Sequence, residues 1–154
     1  MSQIPDGKLA AFMHAQGGTA FFQALGAEVV ETVPGRSVMV LPYAPHIVGN
    51  PDTGVVHGGA VTGMLDHACG MAAGSALAAQ PAPAGGGMRS VATLDLRIDY
   101  LKAAKPGVAL TVVGECVKIA RQIVFAKGIA YQDSADDPVA LATGTFMITE
   151  MKLG

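Results

Sequence analysis

Asn50 to Gly70 reads NPDTGVVHGGAVTGMLDHACG, a turn-rich lead into His57-Gly58-Gly59 followed by an apolar run that a single carboxylate, Asp66, interrupts. The two glycines open the backbone to close approach, and the first amides of a helix have no internal partner. With the helix dipole behind them, such amides suit a site where negative charge develops on an oxygen. The apolar run predicts a helix from about Gly58 to Ala79 that stops before Pro81. Val61, Met64, Leu65, Ala68 and Met71 leave that helix apolar nearly all round, so it must be covered on most sides. Asp66 among them needs either a structural partner or a chemical role.

Working outward, Ala27–Val33 and Arg36–Leu41 read as strands joined at the turn pair Pro34-Gly35. Helical spacing over residues 7–16 and a short piece through Phe21 and Phe22 to Leu25 precede them. The Pro42–Gly54 segment is a loop, and PAPAGGG at residues 81–87 is a second, flexible one. Beyond it the period changes to two. In TLDLRIDYL, Leu94, Leu96, Ile98 and Tyr100 face one way, and Thr93, Asp95, Arg97 and Asp99 the other. Strands over Val108–Val117, Arg121–Tyr131 and from Pro138 to about Thr149 follow with short links, which implies an antiparallel meander. A curled antiparallel sheet around one long helix makes the fold class α+β.

The chain has 154 residues and a net charge of −2, with a pI near 6.0. That length holds one domain: a helical segment over about 1–25 and a core over about 26–150. Ten Lys and Arg spread along the sequence leave no electrostatic footprint for nucleic acid or an anionic membrane. Residues 55–79 approach the length of a membrane span, but His57, Asp66 and His67 interrupt them and much of the rest is Ala and Gly, which points to a buried soluble helix. The first residues have no basic start and apolar block, so no signal peptide is expected. Cys69 and Cys116 form neither a disulfide framework nor a zinc motif. A cytoplasmic protein without a metal is the expectation.

On a helix, eight residues place Asp66 about 12 Å from Gly58 along the axis and about 80° around it. That is too far for both to act on one carbonyl. A second helix, antiparallel across a two-fold axis, would bring its Asp66 toward the first copy's Gly58. If the motif is catalytic, the active form is therefore a dimer with two shared sites.

The His-Gly-Gly, the Leu-Asp that places Asp66 nine residues after His57, Gly70 four further on, and TLDLRIDYLKAAKPG together resemble the hot dog fold acyl-CoA thioesterases. The resemblance is greatest to the phenylacetate-degradation type within the 4-hydroxybenzoyl-CoA thioesterase superfamily, and it spans about residues 45–150. It implies hydrolysis of an acyl-coenzyme A thioester, medium-chain or aromatic, with no metal or prosthetic group, by a homodimer that pairs into a homotetramer. Carried over residue by residue, the Gly58 amide would polarise the carbonyl, with Gly59 beside it. Asp66 of the partner would activate water as general base or attack as nucleophile. Thr93 would place the water or the carboxylate, His57 would brace the helix start, and Asn50, one residue further from the His than in the family pattern, would orient the carbonyl or water. Arg89, Lys102, Lys105 and Arg121 are candidates for the coenzyme A phosphates, against a default of solvated surface.

His67, about 100° around the helix from Asp66, reads as packing or subunit contact, and Cys69 as a buried small thiol. The absence of G-x-S-x-G removes a serine-hydrolase elbow, and Gly85-Gly86-Gly87 is neither a P-loop nor a dinucleotide fingerprint. An enoyl-CoA hydratase on this fold needs an Asp and His acting together, a pair the chain lacks. The remaining alternative is a hot dog protein that binds acyl-CoA or fatty acid without turnover.

Overall fold

In a computed structural model, which describes residues 19–82, 84 and 87–151, the apolar run after His57 is one helix of 21 residues. Helix α1 (Ala20–Leu25) precedes it, and the long helix is α2 (Gly58–Ala78). Thr19 caps α1 by accepting from the Phe22 amide, and Gly26 ends it in the left-handed region that glycine tolerates. The helix expected over residues 7–16 lies outside the described residues.

Six strands form one antiparallel sheet: β1 (Glu28–Val33), β2 (Arg36–Leu41), β3 (Met88–Tyr100), β4 (Leu110–Ala120), β5 (Ile123–Tyr131) and β6 (Ala140–Met151). Their order is β1-β2-β4-β5-β6-β3. The expected four-strand meander is thus corrected. Strands β4, β5 and β6 are sequential neighbours, but β3 leaves β4 and lies at the far edge, paired with β6 from Met88↔Met151 to Tyr100↔Ala140. The 101–109 link between β3 and β4 exceeds a hairpin loop and can pass across the end of the sheet. It is held there by the Leu101 amide, which donates to the Val139 carbonyl at 2.8 Å.

The sheet wraps α2 because the two surfaces approach closely. A Cβ placed on Gly114 of β4 would lie 2.2 Å from the Ala68 carbonyl oxygen, and one on Gly128 of β5 would lie 2.9 Å from Cys69 Sγ. Opposite these glycines α2 presents Leu65, Ala68, Cys69, Ala72 and Ala73, all buried. The composition rich in small residues is therefore a requirement of this contact. Ser37 of β2, fully buried, donates to the Ala68 carbonyl at 2.7 Å and ties the sheet to the helix. At the other end Ser75 accepts from the Gly35 amide at 3.1 Å, which docks the β1–β2 turn on α2.

Register shifts interrupt β1 at Val29/Glu31, β3 at Thr93/Asp95 and β4 at Cys116/Lys118. Each leaves an apolar residue, Val30, Leu94 or Val117, more than half exposed. Such bulges bend a strand and sharpen its twist, as a sheet closing on a helix needs. The shift in β3 also corrects the two-residue alternation expected there. With Leu94 as the extra residue, Thr93 turns toward α2, on the same side as Leu96, Ile98 and Tyr100.

Candidate active site

The site is built from α2 and the strand antiparallel beside it. Tyr100 of β3 touches Gly58, Thr93 reaches Asp66, and Arg89 meets the Leu77 carbonyl. Reading down β3 thus climbs α2 from its first residue to its last turn.

His57 is the N-cap, and its Nδ1 accepts from the Gly59 amide at 2.8 Å, which fixes the ring proton on Nε2. The Gly58 carbonyl accepts from the Tyr100 hydroxyl at 2.7 Å. Since a phenol has one proton to give, Thr62 must be the donor in its short bond to Tyr100. The peptide between Gly58 and Gly59 is therefore held at both its oxygen and its N–H. The amide left open to an incoming oxygen is that of Gly58, which has no partner among the described residues. Gly59, expected to assist it, has its amide engaged by His57. A Cβ at Gly58 would meet the Tyr100 hydroxyl at 3.2 Å, so Tyr100 also sets how closely anything approaches the helix start.

Asp66 lies two turns along, half-buried, and its Oδ1 accepts from Thr93 Oγ1 at 2.8 Å. That bond holds the carboxylate in one orientation and leaves Oδ2 without a hydrogen-bond partner among the described residues. From Asp66 a cavity of about 590 Å³ extends along α2, floored by Gly70, Gly74 and Ala78. These positions recur every four residues and so share one face with Asp66. Val33 and Val91 stand on its sides, from the two edge strands between which the sheet fails to close. His67 also lines it and stacks on Phe22 with ring centroids 4.3 Å apart. Burial lowers the His67 pKa, against an opposing pull from Asp66. Burial raises the Cys69 thiol to about 12, with Asp66 adding to the effect, so Cys69 is no nucleophile.

The other candidates are dispersed. Asn50 uses its side-chain oxygen to accept from the Asp52 amide at 2.9 Å, closing a turn in the loop before His57. Arg89 donates to the carbonyls of Leu77, Gln80 and Pro81 at 3.1–3.3 Å and so caps the end of α2. Lys102 pairs with Asp137, and Lys105 with Asp133. The Lys105–Asp133 hydrogen bond raises the Lys105 pKa and lowers that of Asp133, both exposed. Arg121, at φ 54° in the turn between β4 and β5, has no partner among the described residues. Two residues that the sequence reading gave no role, Thr62 and Tyr100, complete the helix start. Their only sequence signal is that Thr62 falls one turn after Gly58.

A long helix wrapped by a curled antiparallel sheet defines a hot dog fold protein, and the open amide at the helix start with the oriented carboxylate two turns on forms its candidate active site. Comparison with known proteins agrees on the fold and gives the family. Residues 53–138 match the thioesterase superfamily, and the chain belongs to that family and is a thioester hydrolase. The medium/long-chain acyl-CoA thioesterase YigI of Escherichia coli is 26% identical over 133 residues, 83% of this chain and 84% of that protein. A "hypothetical thioesterase protein" of Streptococcus pneumoniae, solved with coenzyme A, superposes with a TM-score of 0.66 at 25% identity, covering 82% of this chain and 90% of that one. The phenylacetic acid degradation protein PaaI of Thermus thermophilus, TM-score 0.69 at 22% identity over 84% and 98%, shows the shared fold alone. No helix among the described residues is long and apolar enough to cross a membrane.

Proposed function

We propose that the protein hydrolyses acyl-coenzyme A thioesters, with a medium-length acyl chain preferred over an aromatic acyl group such as phenylacetyl. The observation that carries this reading is Asp66, oriented by Thr93 at the mouth of a cavity that continues along α2. Asp66 to Ala78 spans about 18 Å of helix, a shape that suits a chain better than a ring. The named substrate class of the Escherichia coli relative supports the same choice.

The thioester oxygen sits on the Gly58 amide, and Asp66 takes a proton from water as the water oxygen bonds to the carbonyl carbon. The carbon–sulfur bond then breaks, the electron pair leaves with sulfur, and Asp66 returns the proton to the thiolate. No metal or prosthetic group takes part. Because Gly58 and Asp66 of one helix are too far apart, the acid that serves each Gly58 is the partner subunit's Asp66, which makes the working unit a homodimer, itself able to pair into a tetramer. The coenzyme A phosphates recruit Arg121, and Lys102 and Lys105 by exchange from their exposed aspartates.

The test is thiol release from acetyl-, hexanoyl-, decanoyl-, palmitoyl- and phenylacetyl-coenzyme A by the wild type and Asp66→Asn. The expected result is hydrolysis peaking at intermediate chain length and a kcat loss of about 100-fold or more in the variant, with KM within a few fold. Equal rates in the two proteins would refute the role of Asp66. Ligand binding without hydrolysis by the wild type would replace catalysis with simple binding.

A further inference from the structure

The cavity along α2 has a charged residue at each end. Asp66, His67 and Arg89 are the ionisable residues that line it, and burial keeps the His67 imidazole neutral. Asp66 stands at one end and Arg89 at the other, with Val33, Gly70, Met71, Gly74 and Val91 along the stretch between. The placement of Arg89 follows from β3. Alternate residues of a strand share a face, and Thr93, Val91 and Arg89 meet α2 in turn: Thr93 bonds Asp66, Val91 sides the cavity, and Arg89 Nη2 donates to the Leu77 carbonyl at 3.1 Å. Asp66 and Leu77 lie about 16 Å apart along the helix axis, and Thr93 and Arg89 about 13 Å apart along the strand.

Capping the helix leaves Arg89 with capacity to spare. Nη2 alone makes the bonds to Leu77, Gln80 and Pro81. Nε and Nη1 have no partner among the described residues, and neither is among the side-chain nitrogens and oxygens that are both unpaired and shielded from solvent, so a ligand oxygen can reach them. The charge is also unmatched. Arg36, Arg97, Lys102, Lys105 and Lys127 each meet a carboxylate, whereas Arg89 joins no ion pair among the described residues, even though Glu150 stands opposite it in β6. Carbonyls at a helix end carry only partial negative charge, so they orient a guanidinium without neutralising it. A ligand carboxylate at this end gains a full opposite charge. With about 13 Å of strand between it and Asp66, more than a Debye length of about 8 Å, the two carboxylates repel little.

We propose that this cavity is a subsite for an ω-carboxyacyl chain, with the thioester at the Asp66 end and the terminal carboxylate accepting from Nε or Nη1 of Arg89, so that hydrolysis releases a dicarboxylic acid and coenzyme A. The proposal rests on the thioesterase reading of the same site.

The experiment compares kcat/KM for butanedioyl-, octanedioyl- and decanedioyl-coenzyme A with butanoyl-, octanoyl- and decanoyl-coenzyme A in the wild type, Arg89→Met and Arg89→Lys. In the wild type the ω-carboxylate should raise kcat/KM by about tenfold at octanedioyl or decanedioyl. It should give no advantage at butanedioyl, whose carboxylate falls short of Arg89. Arg89→Met should abolish the advantage, and Arg89→Lys, which keeps the charge, should stand between the two. Both variants weaken a helix cap, so the ratio of the paired substrates within each protein is the readout, and the chain-length comparison in the wild type needs no variant. Preference for the unsubstituted chain at every length, an equal advantage at butanedioyl, or a ratio unchanged in Arg89→Met would overturn the proposal. If the wild type hydrolyses none of the six, the thioesterase reading fails by itself. Calorimetric titration with the intact decanedioyl and decanoyl thioesters then decides the subsite: tighter binding of decanedioyl, lost in Arg89→Met, supports it, and equal affinities refute it.

Discussion

Adding one methyl group at Gly114 should destabilise the protein more than any other conservative change on the sheet. The new Cβ would stand 2.2 Å from the Ala68 carbonyl oxygen, 2.4 Å from its carbon and 2.7 Å from the Cys69 nitrogen, all backbone of α2. No side-chain rotation relieves such a contact, so the helix must lift by about 1 Å, enough to forfeit a quarter to a half of each packing contact it breaks. Overpacking of this kind costs about 1–3 kcal/mol. The lift also stretches the bond from Ser37, a fully buried hydroxyl, for about 1 kcal/mol more. Gly114→Ala should therefore lose about 2–4 kcal/mol and about 10 °C in Tm. In urea unfolding the midpoint should fall with the slope unchanged. Gly74→Ala is the matched control, because its Cβ would first meet Val91 at 4.0 Å, and alanine is favoured over glycine inside a helix by about 0.5–1 kcal/mol. A loss below about 1 kcal/mol at Gly114, or an equal loss at Gly74, would refute the close-contact account. The same lift draws Asp66 away from Thr93, so thioester hydrolysis should fall even where Gly114→Ala remains folded.

Tyr100→Phe removes the bond that holds the Gly58 carbonyl and orphans Thr62; kcat should drop about tenfold with little change in KM, and a change confined to KM would detach Tyr100 from the amide. His67 has a folded-state pKa below its ordinary 6.5, so the stability it contributes is complete above that pH and is lost as pH falls through the folded value. The urea midpoint of His67→Phe should accordingly decline less than that of the wild type on acidification below pH 6.5, and parallel profiles would exclude His67 as a source of acid sensitivity. With its thiol raised to about 12 and fully buried, Cys69 should resist iodoacetamide at about pH 8 in the native protein and react once unfolded. Mass spectrometry showing Cys69 alkylated as fast as the half-exposed Cys116 would contradict the burial.

The elements were legible where their signals are local. Pro34-Gly35 marks the β1–β2 turn, and the run from Gly58 gives α2 to within a residue at its far end. Strand order was not legible, because whether β3 pairs with β4 or β6 depends on contacts distant in sequence. The alternation in TLDLRIDYL placed Thr93 on the wrong face, since a bulge changes the phase of a strand without changing which residues are apolar. That error matters at the site: the alternation alone turns Thr93 away from Asp66, while the bulge delivers its hydroxyl. Thr62 and Tyr100 were passed over because they are 38 residues apart and their bond exists only once β3 lies beside α2. Arg89 and Lys102 illustrate the converse: a cation in sequence is a candidate for any anion until its own partners are known.

Helix α2 is divided lengthwise. The residues facing Gly114 and Gly128 have no latitude in size, while Gly70, Gly74 and Ala78 border the cavity, where among the described residues a Cβ on Gly70 or Gly74 meets nothing nearer than 3.5 Å. Mutational drift can therefore enlarge side chains along one stripe of the helix and shorten the cavity, while the opposite stripe keeps the architecture constant. A single helix thus separates what the lineage must preserve from what it is free to retune.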